Sequence, residues 1–114
     1  MRGGTELLML TNKDGLSCAH MASRNGHTST VEILLQRGGR ELAVLLTASQ
    51  ISCLHFAAAG GDDEAATALV EMLVTAGGVK LLEQADSRLG WTPLHNAVYA
   101  GHSLLVDKMS EWME

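Results

Sequence analysis

The sequence repeats one pattern of 13 residues three times, and this repetition limits the folds that the chain can adopt. The copies are GLSCAHMASRNGH at 15–27, QISCLHFAAAGGD at 50–62 and GWTPLHNAVYAGH at 90–102. Their histidines, His20, His55 and His95, are spaced by 35 and 40 residues, and the glycine six residues after each keeps that spacing. A period near 35 is typical of stacked repeats in which each unit contacts only its neighbours. The 114 residues therefore predict one domain of three such units.

Each unit is predicted to contain two helices joined by a turn. Ser17, Ser52 and Thr92 are good N-cap residues for the first helix, Pro93 suits a first helical position, and the glycine at the end of the pattern suits a left-handed stop. The second helix carries apolar residues at helical spacing. These are Val31, Leu34 and Leu35; Leu69, Val70, Met72, Leu73 and Val74; and Leu105, Val106, Met109, Trp112 and Met113.

The second unit contains an insertion. VEILLQRGG at 31–39 matches VEMLVTAGG at 70–78 with a shift of 39, so four residues are added between Gly61 and Val70. Four residues are about one helical turn, and a helix lengthened by one turn keeps its apolar face. The spacing predicts a longer second helix in this unit.

Composition and charge exclude several classes of protein. Hydrophobic residues make up 46% of the chain and aromatic residues 4%, which favours helices over a β-sandwich. A net charge of -5 without a basic face argues against nucleic acid as the partner. The apolar runs are too short for a membrane span or a signal peptide. Two cysteines favour a reducing compartment, and we expect the protein to be intracellular.

The segment Thr92-Pro93-Leu94-His95-Asn96-Ala97 resembles the T-P-L-H-x-A signature of the ankyrin repeat. The other two copies are degenerate, because cysteine replaces proline in both, and Gln50 stands where a loop glycine is expected. The resemblance implies an all-α solenoid of stacked helix-turn-helix repeats with long inter-repeat loops. It also implies a non-enzymatic module that binds a partner protein.

The resemblance divides the chain into four segments. Residues 1–14 correspond to the tail and loop of an incomplete preceding repeat, 15–49 to repeat 1, 50–89 to repeat 2 and 90–114 to a C-terminal capping repeat. This division suggests an excerpt of a longer array. In the last repeat Lys108 and Ser110 replace apolar residues, as expected for a solvent-facing end.

Cysteine and histidine pairs raise the alternative of a metal-dependent or thiol enzyme. Cys18-x-His20 and Cys53-x-His55 offer zinc-ligand types, but the gaps within each pair are short, and stacked helices lie about 8–10 Å apart. The same separation exceeds the disulfide limit of about 7 Å. We therefore expect two free thiols and no catalytic residue, cofactor or metal. By resemblance, the three histidines bond near the helix start and tie neighbouring repeats together.

The resemblance places partner contacts on the loop tips and on exposed positions of the first helices. The corresponding residues are Lys13, Asp14, Leu16, Arg24 and Asn25 on the first helix of repeat 1 and the loop before it, Ser49, Ile51 and Ala59 on the first helix of repeat 2 and the loop before it, and Arg88, Leu89, Trp91 and Tyr99 on the first helix of repeat 3 and the loop before it. Repeat 2 offers mostly small side chains, so we expect the other two repeats to dominate binding. The partner's identity is open, and the protein is expected to be a monomer. The alternative is a structural spacer within a larger protein.

Removal of residues 1–37 is expected to leave a largely unfolded chain. The deletion removes most of repeat 1, and about three repeats are needed before stacking offsets the entropy lost on folding. Circular dichroism during heating measures the outcome. A cooperative thermal transition in the truncated chain would refute this expectation.

Overall fold

A computed structural model describes residues 4–112, with side chains from Glu6 onward; Met113 of the predicted last helix lies outside this range. Its helices are α1 (Gly4–Leu8), α2 (Cys18–Arg24), α3 (Thr28–Ala43), α4 (Cys53–Ala59), α5 (Asp63–Gly77), α6 (Pro93–Ala100) and α7 (Ser103–Trp112), with a 3-10 turn at Val79–Glu83. No strand occurs between residues 4 and 112, and the predicted all-α repeat fold is confirmed. None of these helices has the length and apolar character to cross a membrane.

The helices form three antiparallel pairs, α2–α3, α4–α5 and α6–α7, stacked in one direction. The first helices contact each other in the order α2, α4, α6, and the second helices in the order α3, α5, α7. The middle pair is therefore covered on both sides, and Leu54, Leu69 and Leu73 have no exposed surface. The core runs along the stack, between the two rows of helices.

The glycine pairs Gly38–Gly39 and Gly77–Gly78 interrupt the helical backbone of the second helices. Gly39 has a φ of 61° and breaks α3, and Gly78 follows α5 with a φ of 102°. A short helical turn follows each break, and its leucines return to the core. Leu42 and Leu82 are almost fully buried. α5 runs for 15 residues, whereas the regular part of α3 ends at Gly38. The second helix of repeat 2 is therefore longer than that of repeat 1.

The first two repeated histidines join adjacent repeats. The Nδ1 of His20 accepts the backbone N–H of Ser17 at 2.9 Å, so the ring proton lies on Nε2, which donates to the Leu45 carbonyl at 3.0 Å. In the next repeat, His55 accepts the N–H of Ser52 at 3.0 Å and donates to the Trp91 carbonyl at 2.9 Å. Each imidazole thus connects the start of its own helix to the loop that precedes the next repeat.

Both joining histidines are buried and neutral. Desolvation lowers the pKa of the His20 and His55 imidazoles, and the carbonyls that accept from Nε2 offset part of this effect. The serine hydroxyls complete the arrangement, because Ser17 Oγ and Ser52 Oγ accept the backbone N–H groups of these histidines. The predicted roles of the serines as N-caps are confirmed.

A carboxylate links the second helices of repeats 2 and 3. The sequence places Asp62 and Asp63 at the start of α5, and Asp62 caps that helix by accepting the Ala65 N–H at 2.7 Å. Asp63 instead reaches the next repeat, where it accepts the N–H groups of Leu104 at 2.9 Å and Leu105 at 3.1 Å. The start of α7 is therefore capped by a side chain of another repeat.

The three loops before the first helices each hold one residue in the left-handed region. The φ angle is 82° at Gly15, 60° at Gln50 and 73° at Gly90, so glutamine occupies the left-handed position that glycine occupies in the other two loops. The loops also bond to one another, since Ser87 N–H donates to the Ser49 carbonyl at 2.9 Å. The loop geometry is thus kept at Gln50 in spite of the strain.

Gln50→Gly is expected to raise the free energy of unfolding by up to about 1 kcal/mol, because a left-handed non-glycine residue costs roughly 1–2 kcal/mol and glycine's greater unfolded-state entropy offsets part of the gain. Gly90→Ala is the matched control, since a Cβ there meets no atom within 4 Å and adds backbone strain alone. It is expected to destabilise. Urea unfolding measures both changes, and a loss of stability in Gln50→Gly contradicts the strain argument.

The stability of the protein is expected to fall as the pH decreases from about 7 to about 5. An unfolded histidine titrates near pH 6.5, whereas the pKa values of folded His20 and His55 lie lower. The unfolded chain therefore binds more protons in this range, and acid favours unfolding. His55→Gln is expected to weaken the slope of unfolding free energy against pH. Equal slopes in wild type and His55→Gln would be inconsistent with this origin.

Candidate partner-binding surface

The cysteines do not form an obvious reactive site. Cys53 is fully buried, and burial raises the pKa of its thiol to about 12, which keeps it protonated at neutral pH. Cys18 is exposed and its thiol donates to the Leu8 carbonyl at 3.7 Å. In the part of the chain that the structure describes, no three His, Cys, Asp or Glu side chains are grouped as metal ligands.

A groove of about 440 Å³ lies along the loops that precede the first helices. We call it the loop groove. Six of the residues predicted to contact a partner line it: Lys13, Asp14, Leu16, Ser49, Ile51 and Arg88. Thr47, Ala48 and Phe56 complete the lining. Hydrogen bonds between neighbouring loops bring these residues, which come from the loops before all three first helices, to one surface.

Phe56 is a residue of this surface that the sequence analysis did not select. Its ring lies edge-on to the His20 imidazole, with centroids 5.8 Å apart, and the Arg24 guanidinium carbon lies 6.0 Å from the ring centroid. The latter distance is at the limit for a cation–π contact. Phe56 occupies the variable position of the T-P-L-H-x-A pattern, and a large aromatic at that position is a signal available in the sequence. Through Phe56, Arg24 is placed next to the loop groove.

The charges of the chain are distributed unevenly. Most acidic residues lie on the second helices and on the turns after them, as Glu32, Glu71 and Asp107 do. The loop side carries Lys13, Arg88 and one carboxylate, Asp14, at the groove, with Arg24 beside it. The carboxylate of Asp86 accepts backbone N–H groups of its own loop. Desolvation raises the pKa of this carboxyl, but the hydrogen bonds from these N–H groups have the larger combined effect and leave the pKa below its usual value. The loop side is therefore less negative than the opposite side.

A second apolar surface lies on α6. Trp91, Leu94, His95, Val98 and Tyr99 enclose about 340 Å³, and we call this surface the α6 face. The Trp91 ring lies 5.3 Å from that of Tyr99 and stacks on His95 at 6.2 Å, centroid to centroid. Tyr99 is 83% exposed. The Trp91 carbonyl also accepts a hydrogen bond from His55. Trp91 therefore has a structural role through its backbone, while its ring stays accessible on the α6 face.

Four predicted contact residues line neither surface: Arg24, which lies beside the loop groove, and Asn25, Ala59 and Leu89. Asn25 is exposed at the end of α2, and its side-chain amide donates to the Met21 carbonyl at 2.9 Å. Ala59 is exposed at the end of α4, and Leu89 is exposed at the tip of the third loop. The predicted contact surface is thus divided into the loop groove with Arg24, the α6 face, and these separate positions. Partner binding itself stays a prediction for every one of these residues.

Sequence comparisons agree with the architecture. No curated protein matches the chain in a sequence search. The family described as ankyrin repeats (3 copies) matches residues 3–77 and 20–111, which together cover nearly the whole chain. The three helix pairs, the repeated helix starts and this match lead to one assignment. The chain belongs to the ankyrin repeat family.

Proposed function

We propose that the protein is a non-enzymatic module that binds a partner protein through the loop groove, with the α6 face as a second contact area. Ankyrin repeats are generally protein-interaction modules. The observation that carries the proposal is the convergence on one groove of six predicted contact residues from the loops before all three first helices. Free thiols in the chain support an intracellular location.

The composition of the loop groove suits recognition of a protein surface. Leu16, Ile51 and Phe56 are half-buried and give the groove an apolar base, while Lys13 and Arg88 are exposed beside them. Apolar contacts in such a groove contribute affinity, and charged groups at its rim favour a partner of complementary charge. The groove thus combines an apolar area that contributes affinity with charged groups that distinguish one partner from another.

The loops are held in place before a partner arrives. Thr47 Oγ1 accepts the N–H groups of Ser49 at 3.2 Å and Ile51 at 3.1 Å, and Asn12 Oδ1 accepts those of Asp14 at 2.9 Å and Leu16 at 3.0 Å. A surface fixed in this way loses little conformational entropy on binding. This rigidity supports the loop groove as a binding surface despite the length of the loops.

Charge reversal in the loop groove is expected to weaken partner binding. Lys13→Glu with Arg88→Glu is expected to lower the affinity for a protein captured from lysate of the source organism at least about tenfold, a usual scale for the loss of central contacts. The double variant Arg24→Ala, Tyr99→Ala tests the position beside the loop groove and the α6 face together. Titration calorimetry with the captured, purified partner measures these affinities.

Arg37→Glu is the matched control, because Arg37 is exposed on α3 and lies outside both surfaces. It is expected to bind like wild type. Unchanged binding of both double variants, with intact circular dichroism, removes these surfaces from consideration. If neither surface affects partner binding, a structural spacer within a larger protein becomes the better explanation.

A further inference from the structure

A groove of about 360 Å³ lies between α3 and α5, the second helices of repeats 1 and 2. Half-buried Leu35, Met72 and Ala76 give it an apolar lining, and the exposed side chains of Glu32 and Glu71 lie beside them. We call it the α3–α5 groove. It shares no lining residue with the loop groove. Both of its helices pack against each other inside the stack, so the groove does not depend on either end of the chain.

A small residue keeps the α3–α5 groove open. The sequences VEML at 70–73 and VDKM at 106–109 hold equivalent positions in α5 and α7, and in this register Ala76 corresponds to Trp112. α5 therefore carries a methyl group where α7 carries an indole ring. The space that a larger side chain would fill beside α3 is left to a partner.

The α3–α5 groove carries negative charge that the described chain does not compensate. Glu32 and Glu71 hold equivalent positions in the two helices, and neither carboxylate forms an ion pair among the side chains of residues 6–112. Arg40 is engaged elsewhere, because its Nη1 donates to the Gly77 carbonyl at 3.0 Å, and Arg37 is exposed outside the lining. Two carboxylates therefore border an apolar surface that no described cation lines.

The separation of the two carboxylates indicates the form of the partner. Glu32 and Glu71 lie on neighbouring packed helices, whose axes are about 8–10 Å apart. Seven residues of a partner helix cover about 10 Å, and an apolar residue four positions after one cation and three before the other shares their face. In an extended strand, residues on one face are about 7 or about 13 Å apart, so two cations with an anchor between them fit less well. The spacing favours a helix that crosses α3 and α5.

We propose that the α3–α5 groove binds a basic amphipathic helix of a partner protein, at a site separate from the loop groove. Lysine or arginine residues seven positions apart pair with Glu32 and Glu71, and the apolar side chain between them packs against Leu35, Met72 and Ala76. The apolar contact contributes affinity, and the exposed carboxylates select a positively charged partner. A second copy of the chain, with its net charge of -5, is a poorer occupant because the same carboxylates repel it.

A synthetic helix tests this site directly. The probe is a fluorescein-labelled peptide of about 18 residues, rich in alanine and glutamine, with one leucine that follows a lysine by four positions and precedes another by three. Fluorescence anisotropy with the full chain in about 50 mM salt is expected to give a Kd of about 10–100 μM, which rises as salt is added. A second peptide with glutamine in place of the leucine is expected to bind at least about fivefold more weakly, because it lacks the apolar anchor.

Two variants separate the charge of the groove from its shape. Glu32→Gln with Glu71→Gln removes both carboxylates, and Ala76→Trp fills the groove while the carboxylates stay. Each is expected to raise the Kd at least about tenfold. Trp112 at the equivalent position of α7 shows that this kind of helix accommodates the ring, and circular dichroism verifies the fold of every variant.

The matched control is Glu41→Gln with Glu111→Gln, which removes the same net charge at exposed sites outside the groove. It is expected to change the Kd less than about twofold. The loop-groove variant, Lys13→Glu with Arg88→Glu, is expected to bind the peptide at least as tightly as wild type, so this test is independent of the proposed function. Absence of peptide binding up to about 1 mM protein overturns the inference. So does wild-type affinity in either groove variant, an equal loss in the control, or weaker binding by the loop-groove variant.

Discussion

A buried imidazole between two backbone groups fixes how one repeat sits on the next. The ring of His20 or His55 accepts at one nitrogen and donates at the other, so it spans a set distance between the start of its own helix and a carbonyl of the following loop. Charging the ring would place a proton where the serine N–H donates. Burial keeps the ring neutral and thereby preserves the tie. The spacing of the helices, the position of the loops and the shape of the loop groove all depend on it.

The fixed positions of the loops follow from these histidine hydrogen bonds. The second and third loops each contribute a carbonyl, that of Leu45 or Trp91, to the histidine of the preceding repeat, and the side chains of Thr47 and Asp86 bond to N–H groups of their own loops. Neighbouring loops then lie close enough to bond to each other. Long connections that would otherwise be variable become a continuous surface, which is why a groove made of loop residues can have a defined shape.

Much of the fold was predictable because its determinants are local and repeated. The serine caps, the glycine breaks and the helical spacing of apolar residues each act within a few positions. The contacts between repeats were harder to predict, because two neighbouring aspartates in the sequence do not reveal that Asp62 caps its own helix while Asp63 caps another. At Gln50, sequence propensity argued against a loop conformation that the surrounding hydrogen bonds impose. Phe56 lies on the first helix and not at a loop tip, so the family pattern does not predict it as a contact, whereas Asn25 and Ala59 hold predicted positions that lie outside the groove.

The carboxylate of Asp63 makes the last helix dependent on its neighbour. Because the cap of α7 comes from α5, a chain in which repeat 2 has opened also leaves two N–H groups at the start of α7 without their acceptor. When repeat 3 opens, α5 keeps its own cap from Asp62, although the two bonds accepted by Asp63 are lost as well. Coupling between nearest neighbours is what makes a linear array unfold as a unit, and these two bonds contribute to it between repeats 2 and 3. Amide exchange in α7 is then governed by the opening of repeat 2 as well as by its own fraying.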